Sequence, residues 1–63
     1  MFPEERQKKI TGILDEQKSV RVAELSKMLE TSEVTIRRDL EELDKQNKLI
    51  RIHGGAMSAY SVG

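Results

Sequence analysis

TSEVTIRRDL, residues 31–40, decides how this chain folds and which face it shows. Ser32 offers its hydroxyl to the backbone N–H of Thr35, the arrangement that opens a helix. From there Ile36, Leu40 and Leu43 recur at spacings of four and three, which predicts a helix to about Gln46 with Asn47 as its left-handed terminator. With roughly 100° per residue, that stripe sets the buried direction. Val34, Arg38, Glu41 and Lys45 then point away from the core, and Thr35 and Arg37 take opposite shoulders. A lone exposed valine is ordinary on any surface. One placed opposite the core stripe, between hydroxyl and guanidinium groups, is informative.

Upstream, AELSKMLE carries Val22, Leu25, Met28 and Leu29 at helical spacing, enough for a helix of two turns, with Met28 as core filler. Glu30, Thr31 and Ser32 are the gap between this helix and the next. Before it, SVRV alternates Val20 and Val22 about Arg21, a very short strand. FPEERQKKITGILDEQ reads as the first helix. Pro3 suits a first turn, Glu4 and Glu5 face the positive end of the dipole, and Ile10, Ile13 and Leu14 form one stripe. Gly12 inside it costs about 1 kcal/mol relative to alanine, so the helix leans on tertiary contacts.

Downstream, LIRIHGGAMSAY splits two apolar-containing runs at Gly54-Gly55, which reads as a β-hairpin. Ile50 and Ile52 are expected inward, Arg51 and His53 outward. The order is helix, strand, helix, helix, hairpin: mainly α with a small β-hairpin, an α+β class.

The 63 residues allow one domain and one small core, since a chain this size buries only about 60% of its unfolded surface. That leaves little room for a substrate cavity. Cysteine is absent and His53 is the one histidine, so no disulfide framework, thiolate metal site or cysteine nucleophile is available, and neither a metal nor a cofactor is expected. Nothing pairs a nucleophile with an adjacent base, and the chain does not read as an enzyme. Asp39, Glu41, Glu42 and Asp44 spread over different helix faces and read as structure and solubility. No apolar run approaches the roughly 20 residues that cross a bilayer, and no secretory leader is visible, so a cytoplasmic protein with no membrane partner is expected. Eleven Lys plus Arg balance eleven Asp plus Glu, giving a formal net charge of zero. A nucleic-acid binder is usually basic; any electrostatic argument here rests on where the charges lie.

Two short helices joined by a tight turn cross steeply, so the second can project as a rod with one free side. The major groove of B-DNA, about 12 Å across, accepts such a rod. Ser32 and Thr35 hydroxyls and the capped helix start can hold a phosphate while Arg37 and Arg38 reach base edges and Val34 meets a thymine methyl. Glu41 and Glu42 would repel phosphates, so only the first half of the helix is expected in the groove. Arg51, His53, Gly54 and Gly55 at the hairpin tip are candidates for a second contact, with His53 touching phosphate or solvent rather than acting as a ligand or catalyst.

Arg6, three residues, Ile10, three residues, Leu14, a gap of seventeen, then Ser32, two residues and Thr35-Ile36-Arg37-Arg38-Asp39-Leu40 resembles the signature of the DeoR-type helix-turn-helix repressors. LIRIHGGA, residues 49–56, resembles the wing of the same family. The resemblance runs from about Pro3 to Met57 and implies a winged helix-turn-helix, three helices plus a wing, over residues 1–57. The helix-turn-helix would occupy about 20–39 and the wing about 49–60, with 58–63 as the end of the wing and a tail. It implies double-stranded operator DNA as partner, commonly at bacterial genes for sugar uptake and catabolism, with Ser32 and Thr35 on phosphates and Glu33, Val34, Arg37 and Arg38 at base edges. In that family a larger C-terminal domain binds a phosphorylated sugar and assembles the oligomer. These residues do not include such an effector domain, so this stretch alone is expected to be monomeric within an oligomeric full-length protein. Two positions depart from the family: Glu30 stands where the turn usually has glycine, at a cost of around 1 kcal/mol if its φ is positive, and Thr31 replaces an apolar turn residue.

Arg6 lies on the apolar stripe of the first helix, and Asp39 sits about 60° to one side of the third helix's buried direction. A charge held against a core wants a partner, so an Arg6–Asp39 clamp between these helices is expected. The alternative lays the arginine methylenes on the core with the head in water. A functional rival also stands: a winged-helix protein-interaction module without DNA binding, which would show an apolar groove where the serine, threonine and arginine face is expected.

Overall fold

The computed structural model describes residues 1–59; the expected last residue of the wing and the rest of the tail, 60–63, lie outside them. The elements are α1 (Pro3–Gln17), β1 (Ser19–Arg21), α2 (Val22–Met28), α3 (Glu33–Lys45), β2 (Leu49–Ile52) and β3 (Gly55–Ser58). Three helices pack on one face of a three-stranded antiparallel sheet of order β1-β3-β2. The core draws on every element: Ile10 and Leu14 from α1, Val20, Val22 and Leu25, then Ile36, Leu40 and Leu43 from α3, with Leu49 and Ala56 from the sheet. This is a winged helix-turn-helix in which β2 and β3 form the wing.

Each helix ends for a local reason. At the end of α1, Lys18 is left-handed (φ 69°) and its N–H donates to the Leu14 carbonyl. At the end of α3, Asn47 takes φ 60°, its N–H donates to the Asp44 carbonyl, and the Lys48 N–H donates to the Leu43 carbonyl, both at 3.0 Å. That pair of bonds is a Schellman motif, which satisfies carbonyls the helix would otherwise leave open. Glu30, in the turn between α2 and α3, sits at φ 52° with a side chain where glycine would be unstrained. The turn compensates: the Thr31 N–H donates to the Ser26 carbonyl, and Ser26 Oγ donates back to the Thr31 carbonyl. Thr31 therefore holds the turn through its backbone.

Four expectations are corrected. Val22 is the first residue of α2 rather than part of β1, and its N–H, which a first helical residue cannot use within the helix, donates to the Gly54 carbonyl at 2.9 Å. Met28 is exposed, the core at this end of α2 being closed by Leu25 and the half-buried Leu29. The wing is one residue out of phase with its sequence reading: Ile50 and Ile52 are 40% and 44% exposed, while Leu49 is buried. Leu49 comes directly after the Schellman turn and is the first wing side chain to reach α3. Alternation then gives Arg51 the same face as Leu49 and sends both isoleucines to the other. The tight turn is His53-Gly54, not Gly54-Gly55, and Gly54 supplies the positive φ of 75°.

Candidate nucleic-acid interface

The start of α3 is organised by Ser32. Its Oγ accepts from the Thr35 N–H at 3.2 Å and shares a hydrogen bond with Thr35 Oγ1 at 2.9 Å. One hydroxyl proton is used between the two side chains, so the other remains to be donated outward. Val34 projects beside them, 58% exposed. Ile36, Leu40 and Leu43 bury the opposite side, and Asp39 goes with them.

Arg37 and Arg38 are both exposed but differ in company. Arg37 Nη2 donates to Glu33 Oε1 at 3.3 Å, one turn back, with both side chains about half exposed. Arg38 has no ion-pair or hydrogen-bond partner among the described residues. Glu41, expected to repel phosphate, lies 3.7 Å from Arg51 Nη1. Glu33 and Glu41 thus each have a cation, Glu42 accepts from the neutral Gln46 amide at 3.5 Å, and Arg38 has no partner among the described residues. A chain of zero net charge can in this way present a locally positive helix start.

In the wing, His53 and Gly54 are exposed at the tip. Arg51 is turned toward Glu41 by the corrected phase. Gly55, expected among the tip contacts, is buried in β3 opposite Arg21. A Cβ there would lie 2.1 Å from the Val20 carbonyl oxygen, so the glycine is needed for the close approach of β1. Sequence reasoning missed Arg21 as a functional candidate, although Val20 and Val22 pointing inward already implied that Arg21 points out. It is exposed and borders the cleft beside the wing tip.

Behind this surface, α1 and α3 are joined by a charge pair. Arg6 Nε donates to Asp39 Oδ2 and Arg6 Nη2 to Asp39 Oδ1 at 3.0 Å, and Gln7 Nε2 adds a bond to Oδ1 at 3.3 Å. The side chains are 12% and 5% exposed. The hydrogen bond to Asp39 holds the Arg6 guanidinium above its ordinary pKa against the lowering effect of burial. A raised folded-state value means that its contribution is complete below the unfolded arginine range and is lost only in strong alkali. With Asp39 committed here, no acid/base role is left to it.

Among the described residues no cluster of three His, Cys, Asp or Glu could hold a metal ion, and no helix is long and apolar enough to cross a membrane. The model of the DeoR-like helix-turn-helix domain matches residues 6–62. The chain is 53% identical over 58 residues to YulB, an uncharacterized HTH-type transcriptional regulator of Bacillus subtilis (strain 168), covering 92% of this chain and 22% of that protein. It is 45% identical over 58 residues to the lactose phosphotransferase system repressor of Streptococcus mutans, covering 92% and 23%. It is 41% identical over all 63 residues to the HTH-type transcriptional regulator GlpR of Haloferax volcanii, covering 25% of that protein. The chain thus spans about a quarter of the length of the relatives it matches. No solved structure gives a significant match.

Proposed function

The chain belongs to the DeoR-like helix-turn-helix family, a family of DNA-binding transcription regulators and not of enzymes, and from that premise we propose that it is the operator-binding domain of a bacterial transcriptional repressor of sugar uptake or catabolism genes. The observation that carries this is the outward face of α3: exposed Val34 between the Ser32–Thr35 hydroxyl pair and Arg38, which has no partner among the described residues.

α3 enters the major groove by its first half. Ser32 and Thr35 hold a phosphate with the hydroxyl proton left over from their mutual bond. Arg38 reaches a base edge, Val34 packs on a thymine methyl, and Glu33 and Arg37 meet neighbouring edges by opening their mutual pair. His53 and Gly54 take the flank from the wing. One name among the relatives, a lactose phosphotransferase system repressor, supports a sugar-related role. In this reading the rest of the protein binds a phosphorylated sugar and assembles the oligomer in the cytoplasm, and the isolated domain is a monomer covering one half-site. The protein-interaction reading lacks its apolar groove on α3, where Val34 stands among polar side chains.

The test is a titration of duplex DNA at two controlled salt concentrations, using a sequence selected from a random pool. Affinity should fall steeply with salt. Arg38→Ala should cost about 1–3 kcal/mol and relax the preference for the selected sequence. Unchanged affinity for that variant contradicts the proposal.

A further inference from the structure

Strand pairing sets Arg21, Gly55 and Ile52 in one row across β1, β3 and β2, on the sheet face turned away from the core. The middle member is the buried glycine whose missing Cβ makes room for the Val20 carbonyl and so draws β1 against β3. Beside this row lies an open cleft of about 380 Å³, lined by Ser19, Val20, Arg21, Ile52 and His53 with the two wing glycines. Among the described residues Arg21 and His53 are its only ionisable side chains, and no carboxylate lines it. The geometry is held by backbone: Arg21 is paired with Gly55, and the next residue, Val22, donates its N–H to the Gly54 carbonyl. Arg21 has no ion-pair partner among the described residues, whereas Arg51, the arginine within the wing itself, is engaged by Glu41 on the opposite sheet face.

We infer that this cleft is a phosphodiester-binding site in which Arg21, together with His53, holds one phosphate of the DNA backbone, and that Arg51, on the opposite sheet face, takes no part in it. The inference rests on the DNA-binding reading and adds a contact that the α3 surface does not supply. A guanidinium and an imidazole lining one cleft can both meet the oxygens of a single phosphate. Arg51 instead lies 3.7 Å from Glu41 and offsets a charge that would otherwise repel the same backbone.

The experiment measures the salt dependence of binding to duplex DNA for the unsubstituted chain, Arg21→Gln, the double variant Glu41→Gln/Arg51→Gln, and Arg38→Ala. Arg21→Gln is expected to weaken binding equally on selected and mixed-sequence duplexes and to make the log–log salt slope shallower by about one, the signature of one lost phosphate contact. The double variant, which removes one charge of each sign, should keep the original slope. The Arg21 side chain makes no cap bond to α2, so the thermal melt of Arg21→Gln should match that of the unsubstituted chain. An unchanged slope for Arg21→Gln overturns the inference, as does a slope lowered by the double variant but not by Arg21→Gln. If Arg38→Ala still loses affinity in either case, the DNA-binding reading survives without this site. Failure of the unsubstituted chain to bind any duplex overturns both.

Discussion

The two sides of α3 carry the same kind of ion pair with different surroundings. Inward, Asp39 accepts from Arg6 with both oxygens and from Gln7 as well, and is 5% exposed. Outward, Glu33 meets Arg37 through one contact at 3.3 Å, with about half of each side chain in water. A buried carboxylate cannot be left alone without a large desolvation cost, so the inward pair locks α1 to α3. The outward pair exchanges readily with water and salt, and is worth little to the fold. Proximity of opposite charges therefore says less than solvent access about what a pair does: one orients the helix, and the other can be given up to a ligand.

The sharpest way to break that contrast is to remove the inward carboxylate. Asp39→Ala should cost about 3–5 kcal/mol, comparable with the whole stability of a domain this small, and urea denaturation would read it. Arg6→Met/Asp39→Leu should recover most of the loss, because an apolar pair needs no compensation. Failure of both variants in the same way would show that the site depends on shape rather than charge. A smaller effect comes from the junction of the two faces: Ser32→Ala removes the cap and should cost about 1 kcal/mol in the same assay. The outward pair should matter least. Glu33→Ala should change stability by about 0.5 kcal/mol or less, and a loss as large as that of the inward pair would abolish the distinction.

The helix-turn-helix was legible almost residue by residue. Ser32 as cap, the stripe of Ile36, Leu40 and Leu43, and the left-handed Asn47 all stand where the sequence puts them. Thirteen residues and a cap over-determine the phase of α3. The wing was less legible because four residues in β2 leave two phases open, and hydrophobicity alone favoured the one that buries Ile50 and Ile52. Gly55 was noticed for the right reason, a glycine in a tight place, but the tightness comes from β1, thirty-five residues away from it at Val20 in the chain. Met28 kept helical spacing yet stayed exposed, since the end of a seven-residue helix can be closed by Leu25 and Leu29 alone.

By itself the sequence determined the helices, their ends and the outward hydroxyl and guanidinium groups of α3, because these follow from interactions within a few residues of one another. Only the tertiary structure decided which face of the wing is buried, that Arg51 answers Glu41, and that Arg21 lines a cleft beside the wing tip. Those outcomes depend on which strand lies next to which, and strand pairing is settled by the packing of the whole core rather than by local preference.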